Sequence, residues 1–264
     1  MANNNNQDRL LQLRSQIDKI DDSLIELLNQ RINIVKEVGE YKQSINESFF
    51  VKSAREADMI KDLLLKSDPS IPKSTIVTIW RKIIASANSL EQDLHIEIFN
   101  PTQIVDYQYL VREYYGDFIP FSQEENSSKI LSNIKEKKSQ IAVFCNTESL
   151  ADEQNIWWKN MAQSNDEIKI FARIPFIGTS KYQLFVSAIK SPEKSSDDQT
   201  LLVIKSSDVE SSLKECGLNF KILQSSNDFH LIEVDGFFGN NDPKISNISS
   251  DFIKIIGHFA NPIT

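Results

Sequence analysis

At 264 residues, with 40% hydrophobic and 25% charged side chains, the chain has the composition of one or two globular domains with a sizeable core. A formal charge of −8 excludes a general nucleic-acid binder, which needs a basic surface. The excess is uneven: residues 1–94 carry 13 Lys+Arg against 14 Asp+Glu, and the remainder carries 16 against 23. Two cysteines, Cys145 and Cys216, supply neither a disulfide framework nor a metal cluster, and each reads as a small buried residue. The polar start MANNNNQDRL has no apolar signal core, and no apolar run approaches the roughly 18 residues of a membrane span. A cytoplasmic protein without membrane contact is expected.

Residues 7–45 read as one helix of roughly 58 Å, longer than a small domain is wide, so it needs a partner along its length. Its apolar seam runs Leu10, Leu13, Ile17, Ile20, Leu24, Leu27, Ile34, Val38, Tyr41, and Arg31 interrupts it where the next core residue belongs. An arginine there can set register or snorkel outward along its stem. Lys42 lies eleven residues further on, about 20° around the helix and roughly 16 Å along the same face. Two long cationic side chains so placed can hold a small dianion between them. Arg14, roughly 25 Å from Arg31, can reach such a site only on an antiparallel symmetry mate.

NESFFVKS (46–53) reads as a connection, 54–67 as a second helix with Ile60, Leu63 and Leu64 on one side, and SDPSIPKS (67–74) as a turn. Residues 74–94 form a third helix with Ile76, Ile79, Trp80, Ile83 and Ile84 as its apolar face. The pattern then changes to strand-like runs at 95–100, 118–121, 140–145, 168–176, 182–189, 200–205 and 230–238. Helical stretches are expected at 103–115, 123–137, 150–162, 207–215 and 244–254. KSPEKSSDDQ (190–199) reads as a surface linker. The expected architecture is therefore multidomain: an all-α domain over 1–94, then an α/β (α+β) region divided into 95–190 and 199–264. Trp157-Trp158 reads as a core or interface anchor, and His95, His230 and His258 show no metal spacing.

Arg14, Arg31, Lys42, Arg55-Glu56 and the ending IIASANSLEQ, with the phrases LRSQIDKIDDSLIELLNQR and VGEYK, resemble the type II, all-helical chorismate mutases over residues 8–94. The resemblance implies an intertwined homodimer converting chorismate to prephenate without cofactor or metal. It implies that Arg14 serves the partner's site and that Arg31, Lys42 and Arg55 bind the substrate within one chain. Glu56 is implied at the substrate hydroxyl and Glu91 at the ether oxygen. Lys42, Glu91 and Arg31 would carry catalysis, by holding a dicarboxylate in its reactive conformer and stabilising charge on the breaking ether bond. Bidentate guanidinium forks suit the carboxylates. Glu91 must carry a proton to donate to the ether oxygen, so activity is expected to fall as pH rises. Lys52 and Ala87 depart from the family pattern, where another polar ligand and a serine are common.

A weaker likeness follows. YLVREYYGDFIPFSQ (109–123) resembles an early phrase of prephenate dehydratases, and LLVIKSSDV, HLIEVDGFF and FIKIIGHFANP resemble the ACT-type regulatory domain that ends them. The dehydratase signatures are poor: NPTQIVD (100–106) replaces a glycine-rich phrase, and Ala172-Arg173-Ile174 lacks the threonine of Thr-Arg-Phe. Glu125-Asn126-Ser127 spells a dehydratase motif out of context. The leading expectation is a chorismate mutase of phenylalanine and tyrosine biosynthesis with a degenerate regulatory or structural appendage. A bifunctional mutase–dehydratase and a non-catalytic helical dimerisation/sensor protein are the alternatives.

Overall fold

The computed structural model describes residues 2–46, 49, 51–102, 106–146, 153–164, 167–178 and 180–263. These divide into two compact units, Met1–Phe50 with Leu90–Gln92, and Val51–Ser89 with Asp93–Thr264.

In the first unit, α1 (Ala2–Ser44) is one unbroken helix, as its proline-free sequence predicts. The predicted seam is exposed in the single chain: Leu13 is 40%, Leu24 52% and Leu27 59% exposed. The less exposed stripe is a different one. Leu28, Arg31, Ile32, Val35, Gly39 and Lys42 recur at helical spacing and are half-buried or buried. Arg31 and Lys42 therefore belong to a covered stripe beside the seam, not to a gap within it.

In the second unit, α2 (Ser53–Lys66) starts one residue earlier than expected and turns Ala54, Ala57 and Ile60 inward. These small side chains allow close approach to strands β4 (Ile168–Ile174) and β9 (Phe252–Ala260), and Ser53 Oγ donates to the Phe171 carbonyl at 2.9 Å. Helix α3 (Lys73–Glu91) follows the turn around Pro69 and Pro72. Its buried face differs from the expected one: Ile76, Val77, Arg81, Ile84, Ala85 and Asn88 are buried, while Ile79 is 45% exposed.

The remaining strands are β1 (Ile96–Phe99), β2 (Phe121–Glu124), β3 (Ile141–Cys145), β5 (Leu184–Ile189), β6 (Asp198–Lys205), β7 (Phe220–Ser226) and β8 (Phe229–Asp235). All nine form one sheet in the order β2-β1-β3-β5-β4-β9-β6-β8-β7. Strands β1, β2 and β3 run parallel, and the rest is mainly antiparallel. The two inner strands IEIF and IAVFC are buried on both faces, as continuous apolar runs dictate. The segment β6–α7 (Val209–Glu215)–β7–β8–α8 (Pro243–Ser246)–β9 has the βαββαβ order of ferredoxin-like folds.

α4 (Gln108–Tyr115) lies against β4. Helices α5 (Ser127–Lys135) and α6 (Trp157–Gln163) cover one sheet face around Phe99, Ile130, Phe144, Trp157 and Trp158. The opposite face of the last strands packs Leu202, Ile204, Ile232 and Ile255 on Leu213 and Ile245. Both tryptophans are core anchors, their indole N–H groups donating to the Cys145 carbonyl at 3.0 Å and Gln224 Oε1 at 2.6 Å.

Four expectations need correction. The strand expected at 118–121 is shifted to Phe121–Glu124, because Pro120 precedes it. The helix expected at 244–254 shrinks to Pro243–Ser246, and 252–260 is the long strand β9. Strand β7 was not foreseen. The surface linker expected over 190–199 ends earlier, at Asp197, because β6 begins at Asp198; it is pinned by Lys190 Nζ, which donates to the Val51 carbonyl at 3.0 Å, and by the Ser195 N–H, which donates to Asp198. The expected helices at 103–115 and 150–162 are observed from Gln108 and Trp157, and residues 103–105 and 150–152 lie outside the described residues. No described helix is long and apolar enough to cross a membrane.

Candidate active site

On α1 the covered stripe carries two cations. Arg31 is half-buried, and its Nη1 is shielded from solvent without a hydrogen-bond partner. A buried guanidinium N–H without an acceptor is costly, so this donor is suited to a ligand oxygen. Lys42, three turns on, forms an ion pair with Glu91 at the end of α3; their side chains are 14% and 8% exposed. Gly39 lies one turn before Lys42, and its missing side chain leaves room for Glu91. Arg14 is on the exposed part of α1, seventeen residues before Arg31.

Arg55 and Glu56 belong to the other unit. Though adjacent at the start of α2, they point apart: Arg55 is exposed, whereas Glu56 is 9% exposed. Glu56 Oε2 accepts from Arg81 Nη1 at 3.1 Å and Oε1 from Asn88 Nδ2 at 3.0 Å. Each carboxylate oxygen keeps a second lone pair. Arg81 is 4% exposed, with its guanidinium 4.2 Å from the Tyr114 ring centre and 4.7 Å from that of Phe176. Burial pushes the Tyr114 hydroxyl up to about 12, opposed by the neighbouring Arg81 charge.

The structure thus joins Lys42 with Glu91, and it adds Arg81 and Asn88 to Glu56. These two were missed. A signal existed: Val77, Arg81, Ile84 and Asn88 repeat at three and four residues, so both polar residues occupy a core stripe. Lys52 pairs with Glu193 at 3.3 Å, and Ala87 is buried.

Around the dehydratase-like phrase, Arg173 is committed elsewhere. Its Nη1 reaches both Glu233 oxygens, at 2.9 and 3.0 Å, tying β4 to β8. Burial raises the Glu233 carboxyl above its usual range, with Arg173 opposing the shift. Asn126 caps α5 through the Lys129 N–H and Ser127 is bound to Asn155, so Glu125-Asn126-Ser127 is a helix entry. No group of acidic, histidine or cysteine residues fit for a metal occurs among the described residues.

Residues 13–92 match the family model for chorismate mutase type II. The bifunctional chorismate mutase/prephenate dehydratase of Aquifex aeolicus is 25% identical over 139 residues, which cover 52% of this chain and 38% of that protein. That match cannot fit within residues 1–94, so it includes part of the sheet-forming region. The bifunctional chorismate mutase/prephenate dehydratase of Pseudomonas aeruginosa is 29% identical over 99 residues, covering 36% of this chain and 27% of its own. The chain thus spans well under half the length of these relatives. The solved prephenate dehydratase of Streptococcus mutans aligns with a TM-score of 0.41 at 15% identity, over 64% of this chain and 99% of that one. The ordered cations of α1, the acidic end of α3 and the match over the same stretch together identify residues 13–92 as a chorismate mutase type II domain.

Proposed function

We propose that the protein is a chorismate mutase acting in the cytoplasm. The observation that carries this reading is the covered stripe of α1, where Arg31 offers a shielded N–H without a partner and Lys42 meets Glu91. The reaction breaks the ether C–O bond of chorismate as a C–C bond forms, and needs no nucleophile. In this reading Arg31 and Arg55 receive carboxylates. Lys42 and Glu91 face the ether oxygen, with Lys42 as the donor, and Glu56 accepts from the substrate hydroxyl.

Assembly as a homodimer is part of the proposal. The exposed row Leu13, Ile17, Ile20, Leu24, Leu27 is too long and apolar for a lone surface helix, and it presents Arg14 beside it. Light scattering is expected to give a dimer, and Arg14→Ala to lower turnover while the dimer persists.

Residues 95–190 and 199–264 are read as a degenerate dehydratase-like region and an ACT-like domain sharing one sheet. The bifunctional relatives favour a second reading, in which phenylpyruvate is made as well. The Arg173–Glu233 pair argues against it, since it occupies the arginine of the dehydratase-like phrase. The test is chorismate consumption by purified protein with prephenate and phenylpyruvate quantified separately. Prephenate alone is expected; phenylpyruvate would establish the second reading, and no consumption would leave a helical scaffold.

A further inference from the structure

A pocket of about 250 Å³ opens in the second unit between α3, α4 and the segment after β4. It lies just below the roughly 300–1,000 Å³ usual for small-molecule sites. Val77, Leu110, Tyr114, Ile174, Pro175 and Phe176 give it mainly apolar walls. None of its lining residues belongs to the set expected to hold chorismate.

Its depth holds one cation, Arg81, which is 4% exposed. The guanidinium is fixed on three sides, by the Tyr114 and Phe176 rings and by Glu56 on Nη1. Its Nε is buried and has no acceptor. An oriented, desolvated N–H of this kind is costly unless an acceptor reaches it. Glu113 also lines the pocket and is exposed, as is Thr78.

We propose that this pocket binds a small monocarboxylate with an apolar body, whose carboxylate is received by Arg81. The charge balance selects a monoanion. Glu56 already offsets Arg81, so each added anion must be held by hydrogen bonds and by the ring-clamped guanidinium alone. A second carboxylate would meet Glu113. A neutral apolar molecule would leave the Nε–H without an acceptor. The dicarboxylates of the proposed mutase reaction are therefore poor occupants, and the site meets that reaction's residues only through the Arg81–Glu56 hydrogen bond.

The test is calorimetric titration of the full chain with phenylacetate and 3-methylbutanoate, each beside its own amide. One acid is expected to bind with a stoichiometry of one per chain, and its amide at least about tenfold more weakly. Thr78→Trp, which fills the mouth from an exposed position, is expected to abolish binding while melting like the parent. Arg81→Lys, which keeps the charge and removes Nε, is expected to weaken it about tenfold. Failure of both acids to bind at millimolar concentration, equal binding of acid and amide, or undiminished binding by Thr78→Trp would each overturn the proposal. No readout involves chorismate, so its failure is separate from failure of the mutase reading.

Discussion

A Cβ placed on Gly39 would lie 3.4 Å from both the Cα and the Cγ of Glu91. That is ordinary contact for one methyl group and leaves no room for more. Gly39→Ala is therefore expected to keep the Lys42–Glu91 pair and to stabilise α1 by about 0.5–1 kcal/mol through helix propensity. Gly39→Leu is expected to displace Glu91 and lower kcat/KM at least about tenfold, since misplacing a catalytic group by about 1 Å is enough for such a loss. Steady-state kinetics beside thermal melts separates the two effects.

Glu91 and Lys42 neutralise one another when no substrate is bound. A carboxylate cannot donate to an ether oxygen, whereas a side-chain amide can. Glu91→Gln donates an amide N–H at every pH and releases Lys42 from its ion pair. A kcat/KM above the parent's is expected at neutral pH; an unchanged kcat/KM would remove Glu91 from the mechanism.

The sequence disclosed the inner parts of this molecule better than its margins. Strands IEIF, IAVFC and TLLVIK are apolar runs and were found where they lie. The two edge strands were not. β2 reads FSQE and β7 reads FKILQSS, because an edge strand faces water and needs little apolar sequence. The 244–254 error has a similar cause: Asp242 and Pro243 are a genuine helix start, but the helix ends within a turn and the apolar residues after it alternate on a strand. In the candidate site, Arg31 and Lys42 stand out from spacing along one helix, whereas Glu91, on α3, is singled out by the family resemblance alone. Arg81 and Asn88 were not legible, because their meaning depends on Glu56, some 25 and 32 residues away in sequence.

The Glu56–Arg81 pair is buried at both ends, with side chains 11% and 4% exposed. Arg81→Met keeps the volume and leaves Glu56 with only Asn88, so a loss of about 3–5 kcal/mol is expected. Adding Glu56→Gln removes the stranded charge and is expected to recover most of it. Urea denaturation of the parent, both single variants and the double variant gives the coupling directly.

Gly257 joins two parts of the sheet where β4 and β9 pair in parallel at Ile170. A Cβ there would fall 2.6 Å from the Ile170 N and closer still to its carbonyl oxygen. These are backbone atoms within a paired strand and cannot swing aside. Gly257→Ala is expected to cost about 1–3 kcal/mol or more as the strands part. Gly239→Ala, where a Cβ meets nothing within 4 Å, serves as the control and is expected to melt like the parent.

His258 ties stability to pH. Its Nε2–H donates to the Phe238 carbonyl at 2.7 Å, its ring stacks on Phe237 with centres 4.2 Å apart, and its Nδ1 is buried without a partner. Burial lowers its pKa below the ordinary 6.5, with Lys169 adding to the shift and Asp198 and the Phe238 bond opposing it. The folded state therefore binds this proton less readily than the unfolded chain. Stability from this residue is complete above the ordinary histidine value and declines as pH falls below it, by up to about 1.4 kcal/mol per pH unit. His258→Gln is expected to narrow the difference in Tm between neutral and mildly acidic buffer. An unchanged difference would show that other groups carry the acid sensitivity.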